Sequence, residues 1–317
     1  MTKKVFFTTW HYKDSATFLE SIIRLTPECK GKWGNIEYTL DKKEADYIVV
    51  FGGTNEPIEQ SKALYFGLHP KEGPAYKNFE NTSCLAAFPI DKYLNPGEVW
   101  IDYTYDELMA LQPPKKKHNL ACITTRHTKM QTYLDRIMFL HSFLPQYPGC
   151  HLYGRPQAAF EGDEIYAKCY KGALGNDEPK PKAIDHITGK NVLIDYRYSL
   201  EFDQKADSSY YICERFYDAM LLWTLPLYYG TKCVEKFFPE NSFRYINIET
   251  RDELGSLRDA KAAVDIVNSD FREMHIKDMA EARMLMLNKY QVWPMLEERI
   301  NNIDYYVNEW RTRHETK

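Results

Sequence analysis

The apolar positions of this chain fall into short runs that alternate between strand-like and helix-like spacing. Val5 to Thr9 is a β-branched and aromatic run broken by Trp10-His11-Tyr12. Phe18, Ile22 and Leu25 then lie on one face of a helix that Asp14 or Ser15 can cap. Asp46 to Phe51, closed by Gly52-Gly53, and Ala63 to Phe66 are apolar along both faces. Such strands, alternating with helices, predict a parallel sheet covered on both sides.

A break follows. Gln112-Pro113-Pro114-Lys115-Lys116-Lys117 joins two prolines to a charge run, and a new strand begins at Asn119 to Thr124. This divides the chain into units 1–114 and 115–317. In the second unit a helix carries Met130, Leu134 and Met138 at i, i+4, i+8, and His151 to Tyr153 is a short strand closed by Gly154. Residues 155 to 182, rich in Gly, Pro and Lys, read as a long loop of the kind that is often functional. Then come a strand from Tyr196 to Phe202, a helix from about Ser209 to Trp223 and a strand from Leu225 to Tyr229 ended by Gly230. Phe216, Ala219, Met220 and Trp223 form that helix's core-facing stripe. The tail from Asp252 is helical by pattern, with a last helix from about Pro294 to Arg311 expected to pack back on the first unit.

Length supports the division, because 317 residues at roughly 100 to 200 per domain imply two domains. The net charge of −4 gives no global positive field to recruit a polyanion. Tyrosine is abundant, 24 residues, and its flat ring and polar tip suit ligands made of rings and hydroxyls. Seven scattered cysteines without a Cys-x-x-Cys pair read as reduced thiols, neither a disulfide framework nor a zinc site. No run approaches the ~20 apolar residues of a membrane span. The run before Trp10 is too short for a signal peptide, so a cytoplasmic location is expected.

The chemistry concentrates at 196 to 230. Ligands of open parallel sheets bind beyond the carboxyl ends of the strands, which places Asp203 and the loop to Tyr211 at the mouth. A helix N-terminus there offers free N–H groups to an anion, and Arg215 adds a fixed cation able to bind phosphate bidentately. Glu214 beside it suits vicinal hydroxyls of a ribose or sugar ring. The bland alternative makes Glu214 and Arg215 a solvated helix face.

The segments Tyr196-Arg197-Tyr198, Phe202-Asp203-Gln204, Tyr211-Ile212-Cys213-Glu214-Arg215 and Pro226-Leu227-Tyr228-Tyr229-Gly230, in this order, resemble the donor-binding motif of the α-1,3-fucosyltransferases, glycosyltransferase family ten. Phe237-Phe238-Pro239 and Ser242 to Ile248 continue the match. The resemblance implies a GT-B type α/β fold, two Rossmann-like domains facing each other across a cleft, with the acceptor side in 1–114 and the sugar-nucleotide site in 115–317. It also implies an inverting transfer of fucose or a related sugar from a GDP-linked donor to a glycan hydroxyl, with no cofactor beyond that donor substrate. By the same resemblance Tyr211 packs on the donor's base, Glu214 holds hydroxyls and Arg215, in place of the family's lysine, binds the diphosphate. Asp203 and Tyr198 line the site, and Lys171, in a weaker match, takes the place of a phosphate-binding arginine.

Departures accompany the match. Asp203, Gln204 and Arg215 change the reach of the family's side chains, and the glutamate expected as general base is missing after Tyr65-Phe66-Gly67. His69, Glu72 and His11, near strand ends of the first unit, are the candidates for that role. No Asp-x-Asp pair occurs, so no carboxylate clamp for a metal-bound donor is expected. Two further readings stand beside this one: a viral glycosyltransferase acting on a hydroxylated DNA base, its phosphates met by Lys115, Lys116, Lys117 and the basic 168 to 190 loop, and an inactive relative that only binds sugar nucleotides.

Overall fold

The computed structural model describes residues 2–9, 15–54, 56–67, 83–124, 131–154, 160–174, 189–203, 210–248 and 252–315. Twelve strands among them form two six-stranded sheets. The first contains β1 (Lys3–Thr9), β2 (Lys32–Trp33), β3 (Ile36–Tyr38), β4 (Tyr47–Phe51), β5 (Ala63–Phe66) and β6 (Ala86–Phe88) in the order β2-β3-β1-β4-β5-β6. The second contains β7 (His118–Thr124), β8 (His151–Gly154), β9 (Tyr170–Gly172), β10 (Tyr196–Phe202), β11 (Leu225–Tyr229) and β12 (Arg244–Tyr245) in the order β12-β11-β10-β7-β8-β9. Every pairing is parallel except β2 with β3. Strand order therefore reverses once in each sheet, between β1 and β4 and between β7 and β10, and a crevice opens at such a point.

The apolar runs behave as their composition demands. Val49, Val50, Ala63, Leu64 and Leu200 are all fully buried, because helices cover both faces of each sheet. Helix α1 (Ser15–Ile23) turns Phe18 and Ile22 into the first core, and Leu25 just beyond it is buried too. The short helix α2 (Tyr105–Ala110) begins with a capping box in which Thr104 and Glu107 bond each other's backbone N–H.

On the second sheet, α3 (Gln131–Phe143) corrects the sequence reading. Leu134 and Met138 are 39% and 43% exposed, and the buried face is instead Arg136, Ile137, Phe139, Leu140 and Phe143. The larger aromatic stripe takes the core because it removes more apolar area from water. Helix α4 (Glu164–Cys169) lies inside the segment read as a long loop, capped by Asp163 on the N–H groups of Ile165 and Tyr166.

Helix α5 (Glu214–Leu221) starts later than the stripe alone predicts. Asn95 explains why: its side chain accepts from the Ile212 N–H (2.9 Å) and donates to the Ile212 carbonyl (3.0 Å), holding that residue as a strand partner would. The stripe itself is buried as expected, Phe216, Ala219 and Met220 completely. Trp223 lies past the helix end at φ 60° and packs into the other core.

Helices α6 (Glu253–Val267), α7 (Phe271–Met274) and α8 (Ile276–Leu285) follow, and the chain then returns to the first sheet. The expected last helix is two, α9 (Val292–Asn301) and α10 (Ile303–Glu315). Asn302 makes the break, since it leaves helical geometry and its amide bonds the Glu298 carbonyl at 2.9 Å. Trp293 of α9 sits edge-on to Phe7 at 5.1 Å and donates to the Ile22 carbonyl at 2.8 Å, and Tyr306 of α10 meets Phe88 at 5.2 Å. Among the described residues no helix is long and apolar enough to cross a membrane.

Candidate functional site

Along β10 the side chains alternate, so Tyr198, Leu200 and Phe202 enter the core beneath α3 while Ser199, Glu201 and Asp203 face the other way. Asp203 closes the strand and anchors the helix that follows. Its carboxylate accepts from the N–H of Cys213, the residue preceding α5, at 3.1 Å and from the Tyr228 hydroxyl, and its own N–H bonds the Tyr229 carbonyl. Burial pushes its carboxyl up to about 6. Gly230 is required beside this pair, because a Cβ there would run into the Tyr228 ring and the Asp203 carboxylate.

The first turn of α5 carries Glu214 and Arg215, and Cys213 supplies no side-chain cap to its free N–H groups. Arg215 Nη1 donates to the Phe202 carbonyl at 2.9 Å and its Nε lies 3.6 Å from Glu214 Oε1. Burial is the largest influence on the Arg215 pKa and acts to lower it, but Glu214 together with the Cys213 and Glu201 side chains outweighs this and raises it. Glu214 and Arg215 are therefore not a solvated helix face: their side chains are only 12% and 15% exposed.

A residue of the supposed loop completes the cluster. Lys190, at the start of the 3-10 turn Lys190–Asp195, sends its ammonium to Asp218 Oδ2 at 2.8 Å and Glu214 Oε1 at 3.3 Å. Against the cost of burial, Lys190 and Arg215 hold the Glu214 carboxyl down at about 2. The other Asp218 oxygen accepts the Trp100 N–H at 2.7 Å, which ties the 95–100 segment to α5. Glu98 on that segment is pushed up to about 8 by burial and by the Glu214 charge. Glu201, fully buried, is likewise pushed up to about 8 by burial; one oxygen accepts from Ser199 and the other has no partner among the described residues.

The structure thus brings together Asp203, Glu214 and Arg215, and adds Lys190, Glu98, Glu201 and Arg136, which the sequence reading did not single out. Tyr211 lies just upstream, 4% exposed, packed with Ile90 and Cys213. Two expected residues lie elsewhere. Tyr198 faces the opposite side of β10 from Asp203, as odd spacing in a strand requires, and its hydroxyl bonds the Ser269 carbonyl and the Arg272 N–H. Lys171 sits exposed on edge strand β9 with its ammonium on the Lys168 carbonyl. His11, His69 and Glu72 lie outside the described residues.

Two lysines of the boundary run, Lys116 and Lys117, are also engaged. Lys116 turns inward to the carbonyls of Ile194 (2.9 Å) and Leu222 (2.8 Å), and burial pulls its pKa down to about 6. Lys117 pairs with Asp195 at 3.0 Å. All seven cysteines are free thiols. Among the described residues no group of three His, Cys, Asp or Glu side chains is placed to hold a metal ion.

No family model matches the chain, and no curated protein resembles it in sequence. Its likeness is to solved structures. An α-glucosyltransferase in complex with UDP and a mismatched DNA 13-mer aligns at TM-score 0.53 with 8% identity, over 96% of this chain and 99% of that one. A glycosyltransferase from Rickettsia africae aligns at 0.52 with 12% identity, over the same shares. An α-1,3-fucosyltransferase with GDP aligns at 0.46 and 16% identity over 92% of each chain, whereas of a TarM mutant from S. aureus this chain spans 57% of the length. The two parallel sheets, each with one reversal of strand order, have the GT-B glycosyltransferase fold.

Proposed function

We propose that this chain is an inverting glycosyltransferase that moves a sugar, fucose or a relative of it, from a GDP-linked donor to a hydroxyl of a glycan. The observation that carries the reading is the first turn of α5 at the carboxyl end of β10, where Arg215 is fixed by the Phe202 carbonyl beside uncapped helix N–H groups. A fixed guanidinium and a helix N-terminus suit a diphosphate, and they favour the charge that builds on it as the sugar departs. Glu214, kept ionised by Lys190 and Arg215, is an acceptor for donor hydroxyls. The general base is expected among His11, His69 and Glu72 of the first unit, and no metal is required by this arrangement.

A DNA acceptor is the weaker reading for this chain, because Lys116 and Lys117 are already engaged and Lys190 is buried with Asp218. The decisive experiment screens GDP- and UDP-sugars by calorimetry, with and without EDTA, and then measures release of nucleoside diphosphate. Binding followed by slow donor hydrolysis supports a transferase. Binding without any turnover, even with glycan acceptors, would identify an inactive sugar-nucleotide binder, and no binding at all would end the reading.

A further inference from the structure

Arg136 is a buried cation that the donor site described above has not used. It is 1% exposed, and none of its three guanidinium nitrogens meets a hydrogen-bond partner among the described residues. The guanidinium lies over the rings of Tyr133 at 4.7 Å and Phe202 at 5.8 Å. Ring faces attract its charge but leave its five N–H donors unmet, an arrangement that interiors normally avoid. Among the described residues the titratable groups acting on it most are Arg215, Cys122, Tyr133 and Cys213, with no carboxylate among them. Burial and then Arg215 bring its pKa down to about 10, so it stays protonated at neutral pH.

Its place in the fold gives these unmet donors a meaning. Helix α3 follows β7 and α5 follows β10, the two strands that flank the reversal of strand order. Arg136 reaches the ring of Phe202 from the core under α3, while Arg215 reaches the carbonyl of the same residue from α5. Two guanidinia thus converge on the carboxyl end of β10, where an open sheet takes its ligand. Lys190 is not available for this task, since Glu214 and Asp218 already hold it.

We propose that Arg136 is the second phosphate-binding residue of the site and sets its preference for nucleoside diphosphates over monophosphates. This rests on the donor-site reading above. Arg215 with the helix N–H groups serves one phosphate, and Arg136, opposite, serves the other.

The test measures GDP, GMP, UDP, UMP and inorganic pyrophosphate by calorimetry on the full chain, as wild type, Arg136→Met and Arg136→Lys. Arg136→Met should weaken diphosphate binding roughly ten- to a hundredfold, as loss of a charge-assisted hydrogen bond implies, with less than about a threefold change for the monophosphate. The ligand-free variant should melt no lower than wild type, because an uncompensated buried charge has been removed. An unchanged diphosphate-to-monophosphate ratio in a folded Arg136→Met overturns the assignment and leaves the Arg215 site standing. Should Arg136→Met fail to fold, Arg136→Lys decides, since lysine keeps the charge but not the fork: lost preference supports the assignment and wild-type preference overturns it. A wild-type chain that binds neither the diphosphates nor pyrophosphate overturns the donor reading and this inference together.

Discussion

The two sheets share strand number, parallel pairing and a single reversal of order, yet their reversal points hold opposite chemistry. Between β1 and β4 the groups are hydroxyls and one carboxylate: Thr8 bonds Thr54 at 2.8 Å, and Thr8 and Ser15 both donate to Glu56. Between β7 and β10 the groups are the guanidinia of Arg136 and Arg215, with Glu214 held between Arg215 and Lys190. Among the described residues the first arrangement gathers on Glu56, which also has the Lys42 ammonium 3.8 Å away. The second carries, in Arg136, a guanidinium that meets no hydrogen-bond partner among the described residues. One topology can therefore hold either a frame tied by hydroxyls or, on the function proposed above, an anion receiver, depending on a few residues after two strands.

The frame side should show the largest response to mutation. Trp293 is fully buried against Phe7 and bonds the Ile22 carbonyl, so Trp293→Ala should cost about 3 to 5 kcal/mol in a urea titration. If the sheets differ as described, the variant, where still folded, should bind nucleoside diphosphate within about twofold of wild type, because no part of Trp293 touches the charged cluster. A large loss of affinity without loss of stability would show that the frame reaches into the site. On the receiver side, Arg215→Ala should cost about 1 to 3 kcal/mol of stability, because it leaves the Phe202 carbonyl and Glu214 without a partner, and in the folded variant should weaken nucleoside diphosphate roughly ten- to a hundredfold. Wild-type affinity in that variant, measured by calorimetry, would remove the reason for distinguishing the two edges.

The same contrast explains what could be read from sequence. Ala63–Phe66, Tyr196–Phe202 and Leu225–Tyr229 were legible to the residue, the first and last as apolar runs of strand length and the middle one as a strict alternation of Tyr, Tyr, Leu and Phe with Arg, Ser and Glu. Strands of two or three residues such as β2, β9 and β12 carry too few positions for any periodicity. Glu214 and Arg215 were legible through their spacing after β10. Arg136 was not, because the reading placed Leu134 and Met138 inward, and on that helix arginine at 136 looks like ordinary surface charge. Glu98 and Lys190 gave no local signal either: their meaning comes from α5, more than a hundred and about two dozen residues away respectively. The start of α5 depended on Asn95, which no pattern within the helix could reveal.

Proton binding offers a subtler test of the receiver side. Glu201 titrates near 8 in the folded chain and near ~4.3 when unfolded, so between those values the folded state holds a proton that the unfolded state has lost. Stability must then fall as pH rises through that window, by up to about 1.4 kcal/mol per unit for one such group. Glu98 contributes in the same direction, whereas Glu214, held at about 2, loses its contribution only as pH falls from about 4.5 toward 2. Glu201→Gln keeps the hydrogen bond from Ser199 and cannot ionise. Its amide nitrogen takes the place of the unpartnered oxygen, and any cost of that is the same at every pH. The expected result is a shallower decline from pH 5 to pH 8 in urea titrations, and parallel curves for wild type and variant would show that Glu201 is ionised after all.

Lys171 supplies the smallest expected effect and the sharpest limit on where the positive edge ends. It lies on β9, two strands beyond β7 and away from the reversal point, with its ammonium resting on the Lys168 carbonyl in solvent. A solvated lysine at such a distance interacts with a bound phosphate through water, where opposite unit charges several ångströms apart gain only about 1 kcal/mol before salt screening. Lys171→Ala should therefore change nucleoside diphosphate affinity by less than about threefold at 0.15 M salt, where the Debye length is about 8 Å. At about 0.01 M salt that length grows to about 30 Å, and a slightly larger loss should appear if the lysine contributes only to the long-range field. A direct phosphate ligand behaves differently, because its contact is short and partly shielded from water, so the loss would be tenfold or more and would persist at high salt. Calorimetry at the two salt concentrations separates these cases. A large, salt-resistant loss would mean that β9 closes on the ligand, and the positive edge would then extend from the reversal point across three strands of the sheet.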